Sequence, residues 1–178
     1  MRISALLVFV VLFFVANPVF AAQPVGQDRQ PSWTITVDPL TVALGYPHLQ
    51  IERRVSRSMT VYGGPHLRLF DSLLAEEHEP FYGAGGELAV RWFPFGSAPS
   101  GLWLSGRTVA AHLWTYDTEE IARSFGGYSS GLIGFTWIPF GWLVVSGGAG
   151  VQYLYYDIED FGTRSFYPAL HTAVGIAF

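Results

Sequence analysis

The carboxy-terminal stretch from Phe166 to Phe178 alternates strictly between apolar positions and small or polar positions. If this stretch is extended, one face carries Leu170, Thr172, Val174, Ile176 and Phe178, and the other carries Ala169, His171, Ala173, Gly175 and Ala177. A period of two residues is typical of a β-strand. An apolar face opposite small and polar residues predicts a strand with lipid on one side and a crowded lumen on the other.

Seven further runs along the chain show similar patterns, and none is convincingly helical. They span residues 33–44, 48–56, 59–69, 81–93, 101–115, 126–138 and 142–156. In the first run the apolar phase shifts near Pro39, which predicts a β-bulge at Asp38 and Pro39. We therefore predict an all-β fold, an eight-stranded antiparallel up-and-down transmembrane barrel with both termini at one end.

Arg107 decides which face of the fifth run points inward, because both faces of that run are largely apolar. An Arg on the lipid face at mid-depth costs about 2 to 4 kcal/mol, so Arg107 is assigned to the lumen. The same parity argument gives a predicted salt-bridge network inside the barrel, with two histidines beside it. The network comprises Glu52, Arg54, Arg68, Glu87, Arg91 and Arg107, and the histidines are His66 and His171.

The strand faces also predict a pairing register. If runs four and five pair about Ser97, Glu87 faces Arg107 in the lumen. If runs six and seven pair about Phe140, Phe135 faces Val145 and Trp137 faces Leu143 on the outside. Aromatic residues at the ends of the runs predict two interfacial girdles. One contains Trp33, Trp92, Trp103, Trp137, Trp142 and Phe178, and the other contains Phe70, Tyr82, Trp114, Tyr116, Tyr153 and Phe166.

Compact connections alternate with longer ones at residues 70–80, 116–125 and 157–165, as in barrels with short periplasmic turns and long outer loops. The first outer loop, residues 45–47, is a short exception. Ten of the fourteen acidic residues lie in the three longer loops. Hard cations prefer oxygen ligands, so these acids are weak candidates for cation contacts, although no calcium-loop spacing occurs. The candidates are Glu76, Glu77, Glu79, Asp117, Glu119, Glu120, Asp157, Glu159 and Asp160. Solvated loops are the simpler interpretation.

The amino terminus has the order of a secretory signal peptide. Arg2 is followed by an apolar core and then by small residues that end at Ala21. The apolar run is short for an uncleaved membrane anchor. We therefore divide the chain into a signal peptide at 1–21, a flexible lead-in at 22–32 and a single outer-membrane barrel at 33–178.

Composition supports a membrane protein and excludes some functions. Aromatic residues make up 16% of the chain and charged residues only 13%, against about a quarter charged in ordinary globular proteins. All ten basic residues are Arg, and the fourteen acids outnumber them. An acidic chain does not favour nucleic acid as a partner. The chain has no cysteine, so disulfides and cysteine metal sites are excluded.

Two alternatives concern the lumen. A soluble eight-stranded barrel such as a lipocalin would place large apolar residues inside, whereas here the presumed inner face is rich in Gly and charge. A polar core that closes the barrel is the simplest account of the interior charges, because an eight-stranded barrel is only wide enough for side chains to fill. The alternative is a gated path for water or small ions, controlled by Glu52 and Glu87 exchanging Arg partners.

Enzymatic activity has little support in the sequence. Lipid A modifying barrels use a His with a Ser and a carboxylate near the outer rim. The nearest candidates here are His112 with Ser105 or Asp117, and His66 with Asp71. Neither matches the His-x-Ser arrangement of the lipid A deacylase, so we expect no catalytic residues, no metal site and no cofactor.

The alternation, the Gly-rich lumen face and the terminal Phe178 resemble the small OmpX, OmpW and OmpA-membrane-domain group of bacterial outer-membrane barrels. Asp38-Pro39-Leu40 and the run from Leu49 to Arg54 also resemble small outer-membrane proteins with an Asn-Pro-Leu start. The resemblance implies a Gram-negative outer membrane, periplasmic termini, contact with lipid and lipopolysaccharide, and recognition of Phe178 by the barrel-assembly machinery. We expect a structural or surface-interaction protein with a closed lumen. The alternative is a porin-like narrow channel, or a carrier of small apolar molecules through a lateral opening.

Overall fold

Eight antiparallel strands close into a barrel in which each strand pairs with the next and β8 pairs with β1. A computed structural model describes residues 30–43, 45–68, 81–116, 121–158 and 161–178. The strands are β1 (Trp33–Val37), β2 (Leu49–Arg54), β3 (Met59–Arg68), β4 (Phe81–Trp92), β5 (Gly101–Tyr116), β6 (Ile121–Trp137), β7 (Leu143–Ile158) and β8 (Phe161–Ala177). The predicted all-β, up-and-down fold is confirmed.

The two faces of the strands follow the predicted parity. Glu52, Arg91, Arg107 and His171 are all buried inside the barrel. Many large apolar and aromatic side chains are exposed on the outside, for example Ile51 on β2, Leu88 on β4, Ile133 on β6 and Val151 on β7. Soluble proteins rarely expose a continuous apolar surface of this kind, so the barrel is consistent with a membrane protein.

A short helix replaces the predicted continuation of the first strand. β1 ends at Val37, and helix α1 spans Pro39–Ala43. The expected bulge at Asp38 and Pro39 is therefore wrong. Oδ1 of Asp38 accepts hydrogen bonds from the backbone N–H of Leu40 (3.0 Å) and of Thr41 (3.1 Å), and Pro39 is the first helical residue. An Asp N-cap followed by Pro is a helix-start signal, and here it outweighs the alternation in residues 40–44.

Two of the predicted long loops are largely strand. β5 and β6 extend to Tyr116 and Ile121, and β7 and β8 extend to Ile158 and Phe161. These segments lose the apolar alternation but keep the backbone hydrogen-bond ladder, which needs no particular side chain. The predicted loop at 70–80 lies outside the described residues. The first connection is not the short loop 45–47, because it includes α1.

The predicted registers are wrong by two residues. On β4 and β5, Glu87 pairs with Val109, and Arg107 pairs with Ala89. On β6 and β7, Trp137 pairs with Val145. A shift of two residues leaves every side chain on the same face, so the alternation cannot distinguish these registers. The turns decide them, and one turn contains a 3₁₀ segment at Pro139–Gly141 in which Phe140 has a φ of 60°.

The two ends of the barrel differ in construction. At the terminal rim, β1 and β8 join through the hydrogen bond from Phe178 N–H to Trp33 O (2.9 Å). At the opposite end, the distal rim, β1 is much shorter than β8, with 5 residues against 17. β1 pairs only with the part of β8 from Val174 to Ala177. Among the described strands, none lies beside the rest of β8 on this side, and α1 contacts it instead.

Candidate functional site in the barrel lumen

A buried ion pair crosses the lumen near the terminal rim. Nη1 of Arg91 on β4 lies 2.9 Å from Oε2 of Glu52 on β2. Thr34 and Thr60 also donate hydrogen bonds to the Glu52 carboxylate. The Glu52 charge is therefore compensated by a cation and by two hydroxyl donors, as a buried carboxylate requires.

Arg91 also holds the centre of the lumen together. Its guanidinium lies over the rings of Tyr62 (4.5 Å to the centroid) and Trp103 (4.7 Å). Its Nη2 donates to Nε2 of His171 on β8 at 2.8 Å. Because Nε2 of His171 accepts this bond, a neutral His171 carries its proton on Nδ1.

Asp38 joins α1 to β8, the strand that pairs with β1. Its carboxylate caps α1 and also accepts hydrogen bonds from the backbone N–H and the hydroxyl of Thr172 on β8. Oδ2 of Asp38 lies 3.9 Å from Nδ1 of His171. Glu52, Arg91 and His171 are therefore in direct polar contact across the lumen, and Asp38 lies beside His171 without a hydrogen bond to it. We did not predict the role of Asp38 from the sequence, although the Asp-Pro pair was the available signal.

Trp103 fills the terminal half of the lumen. The sequence placed it in an outer aromatic girdle, which is wrong, because its side chain is fully buried inside the barrel. Its Nε1 donates to Oγ1 of Thr136 at 2.9 Å. Its ring lies against Gly134 and Gly148, where an added Cβ would stand 2.2 Å and 2.6 Å from ring atoms. Glycine at these two positions makes room for the indole and does not leave an open passage beside it.

A second polar cluster lies nearer the distal rim. Nδ1 of His48 is 3.4 Å from Oε2 of Glu87 on β4 and 3.3 Å from Nδ1 of His66 on β3. All three side chains are buried. The distal cluster, His48, His66 and Glu87, thus gives Glu87 a histidine partner, where an Arg was predicted. His48 was not a predicted site residue.

Arg107 does not pair with Glu87. Its Nε donates to Oγ of Ser130 on β6 at 3.2 Å, and its guanidinium lies over the ring of Tyr128 at 5.1 Å. The predicted contact between Glu87 and Arg107 is wrong because the register places these residues two positions apart.

Arg54 and Arg68 occupy the two ends of the lumen. Nη1 of Arg54 donates to Oε1 of Gln30 at 3.2 Å near the terminal rim. The guanidinium of Arg68 lies over the Tyr46 ring at 5.1 Å near the distal rim. Between them, several buried polar atoms of the described lumen have no hydrogen-bond partner in the protein. These atoms include Gln50 Nε2 and Glu87 Oε1.

A small cavity lies under Tyr46 on the distal side. It is lined by Tyr46, His66, Arg68, Val109, Ala111, Leu113 and Tyr128, together with two glycines. The cavity is small and has room for about one water molecule. The side chains that line this cavity therefore leave little open space between them.

The remaining predicted candidates are not assembled into a site. Ser105 is buried in the lumen, whereas His112 packs against Phe125 and Trp114 on the outer face, so the pairing of His112 with Ser105 is wrong. Asp71 and Asp117 lie outside the described residues. The described part of the chain contains no three His, Asp or Glu side chains arranged to hold a metal ion.

The acidic candidates for cation contacts give no site either. Asp157 lies in β7 opposite Gly162, and the other eight lie outside the described residues. Those eight are Glu76, Glu77, Glu79, Asp117, Glu119, Glu120, Glu159 and Asp160. Phe178, the predicted assembly signal, is exposed at the terminal rim.

Comparison with known proteins finds no matching family model, no matching curated protein and no matching solved structure. None of the helices in the described residues is both long enough and apolar enough to cross a membrane. The fold and the site define a closed eight-stranded barrel with a charged, packed lumen and an apolar outer surface.

Proposed function

We propose that the protein is an integral barrel of the bacterial outer membrane, and that it acts as a structural or surface-interaction protein with a closed lumen. The observation that carries this proposal is the distribution of polar and apolar side chains, which is the opposite of that in a soluble protein. Charged groups are buried and paired inside, while residues such as Leu88, Ile133 and Val151 are exposed outside. Burial of this outer surface in hydrocarbon would contribute about 25 cal/mol for each Å² removed from water.

The proposal includes the route to the membrane. Residues 1–21 would be removed as a signal peptide, the barrel-assembly machinery would recognise the strand that ends at Phe178, and both termini would face the periplasm. The partners would be membrane lipid and lipopolysaccharide, and nucleic acid would not bind. We also propose that the protein has no catalytic activity.

Expression of the full chain in a Gram-negative host tests location and processing together. We expect the protein in the outer-membrane fraction after density separation, with an intact mass that corresponds to cleavage after Ala21. Recovery in the soluble or inner-membrane fraction would contradict the proposal.

The mass profile of lipid A should be the same with and without the protein, and a changed profile would indicate an enzyme.

Conductance measurements test whether the lumen is closed. Purified mature protein in planar phosphatidylcholine bilayers should give no steady conductance, because Trp103, Tyr62 and Arg91 fill the centre. A steady open current from correctly folded protein would contradict a closed lumen and favour the narrow channel.

One observation favours a second candidate, a carrier of small apolar molecules. From Phe161 to Ala173, β8 has no described strand beside it on the β1 side, and the inward-facing Tyr167 is 42% exposed. Such a gap in the wall could give lateral access from the lipid to the distal lumen. Proteoliposomes would then take up a lipophilic fluorophore faster than empty vesicles of the same lipid. Equal uptake rates in proteoliposomes and empty vesicles would exclude the carrier function.

A further inference from the structure

In the distal cluster, three atoms face one another: Nδ1 of His48, Nδ1 of His66 and Oε2 of Glu87. Only one of these three atoms can carry a proton. A carboxylate accepts hydrogen bonds and a neutral imidazole carries one ring proton, so the proton facing Glu87 must lie on Nδ1 of His48. The same Nδ1–H faces Nδ1 of His66 at 3.3 Å. Nδ1 of His66 must therefore be unprotonated and accept with its lone pair, and the proton of this ring lies on Nε2.

A second proton at Nδ1 of His66 would place two N–H groups against each other. The charged ring would also face two arginines, Arg68 on its own strand and Arg107 on β5. Among the described residues, the negative charges nearest the cluster are Glu87, already bonded to His48, and Asp38, already bonded to α1 and Thr172. The other titratable groups that the structure describes around the cluster are Tyr46 before β2, Tyr62 on β3, Tyr128 on β6 and His171 on β8. None of these supplies a free negative charge to His66.

His66 also contacts a residue that lines the distal cavity. The Tyr46 ring stacks on the His66 ring, with centroids 6.3 Å apart and an interplanar angle of 28°. Tyr46 is tied to α1 by the hydrogen bond from its N–H to Thr41 O at 2.7 Å. Tyr46 lines the cavity opposite Val109, Ala111 and Leu113 of β5. A shift of His66 would therefore act on Tyr46 and, through Tyr46, on α1.

We propose that His66 is an acid sensor, whose protonation breaks the contact with His48 and moves Tyr46 away from the cavity, opening the distal end of the lumen. Water at the opened end would solvate the imidazolium, which the closed end cannot do. By linkage, acid favours whichever state binds the proton more tightly, so the open state gains population as pH falls through the ordinary range of histidine. The inference goes beyond the proposed membrane role, because it concerns the barrel alone.

A single introduced cysteine can report this opening, because the chain has no cysteine of its own. Ala111 is buried and lines the cavity, so Ala111→Cys should react slowly with a thiol reagent while the cavity is closed. Ser165→Cys, at an exposed position on β8, is the matched control for the effect of pH on the reaction itself. A dipyridyl disulfide is a suitable probe because it reacts with thiols in acid, and detergent micelles keep the assay independent of the membrane.

We expect the ratio of the two reaction rates, Ala111→Cys to Ser165→Cys, to rise at least about tenfold from about pH 7.5 to about pH 4.5, a range that spans ordinary histidine titration. In a His66→Gln background the ratio should stay flat, since the Gln amide oxygen can still accept from His48 but does not titrate. No rise in the His66 protein would overturn the proposal. So would an equal rise in the His66→Gln protein, because acid would then act at another group.

A measurement on the unmutated protein covers the case in which His66→Gln does not fold. In an NMR titration in micelles, the ring signals of His66 and Tyr46 should shift with a common midpoint. Titration of His66 without movement of the Tyr46 signals, or movement of Tyr46 without titration of His66, would overturn the proposal.

Discussion

At the residue scale, the lumen charges differ in the partners that compensate them. Arg91 has a carboxylate, an imidazole and two aromatic faces, whereas Arg107 has a serine hydroxyl and one aromatic face. Arg54 and Arg68 lie toward the rims and are only partly buried. The Glu52–Arg91 pair is therefore the charge contact on which the interior depends most.

Replacement of Arg91 by Gln should reduce the free energy of unfolding by about 3 to 5 kcal/mol, because it leaves the Glu52 carboxylate buried without a cation. Urea unfolding in lipid vesicles would measure the loss. Arg53→Gln is the control, because Arg53 lies on the outer face over the Trp33 ring and should cost less than about 1 kcal/mol. Equal losses in the two variants would contradict a central role for the pair.

Gly134 and Gly131 on β6 provide a second residue-scale test. Gly134→Ala places a methyl group 2.2 Å from the Trp103 ring, whereas Gly131→Ala meets nothing within 4 Å. We expect Gly134→Ala to destabilise the barrel by about 1 to 3 kcal/mol through overpacking, and Gly131→Ala to have little effect. The same urea titration, followed by tryptophan fluorescence, gives both values. A neutral Gly134→Ala would show that both the indole and the backbone oxygen of Gly147, 2.4 Å from the added Cβ, can move aside.

At the element scale, the connection between β1 and β2 contains sequence features of both a strand and a helix. Residues 40–44 alternate like a strand, but Asp38 and Pro39 start a helix, and the helix is also held by Thr172 on β8. β1 therefore stops at Val37, and β8 continues without it. The short β1, the exposed distal edge of β8 and the position of Tyr46 all follow from this one capped helix.

Asp38→Ala should release α1 from β8. The change removes the acceptor for the N–H groups of Leu40 and Thr41, so we expect a loss of about 1 to 2 kcal/mol and faster hydrogen exchange at both amides and at Thr172. Asp38→Asn keeps an acceptor oxygen and should cost less. If Asn proves as costly as Ala, the negative charge beside His171 matters more than the cap.

At the scale of the whole molecule, the barrel is closed by contacts across the lumen between residues that are distant in the sequence. Arg91 on β4 meets Glu52 on β2 and His171 on β8, and Trp103 on β5 fills the space left by Gly134 on β6 and Gly148 on β7. Removal of the Trp103 ring should therefore affect stability and permeability together.

Trp103→Ala should cost about 3 to 5 kcal/mol and open a measurable conductance in planar bilayers, because among the described residues Trp103 is the side chain nearest to both glycines. Trp137→Ala is the matched control, since Trp137 lies on the outer face of β6 and is exposed. It should leave the lumen closed. If Trp103→Ala folds and still does not conduct, Tyr62 and Arg91 are sufficient to seal the barrel.

The sequence by itself determined the fold class and the face of nearly every strand residue, because alternation is a local property that each strand shows alone. Arg107, Glu87 and His171 were assigned to the lumen on this basis and lie there. The exception is Trp103, whose position at the end of a run suggested a girdle although its parity matches that of Arg107.

Only the tertiary structure decided which lumen residues meet. Registers that differ by two residues present the same faces, so alternation could not choose between Arg107 and His48 as the partner of Glu87. The turns and the capped helix α1 made that choice by fixing how far each strand runs past its neighbour. Contacts across the barrel depend on all eight strands at once, and therefore no single stretch of sequence contains them.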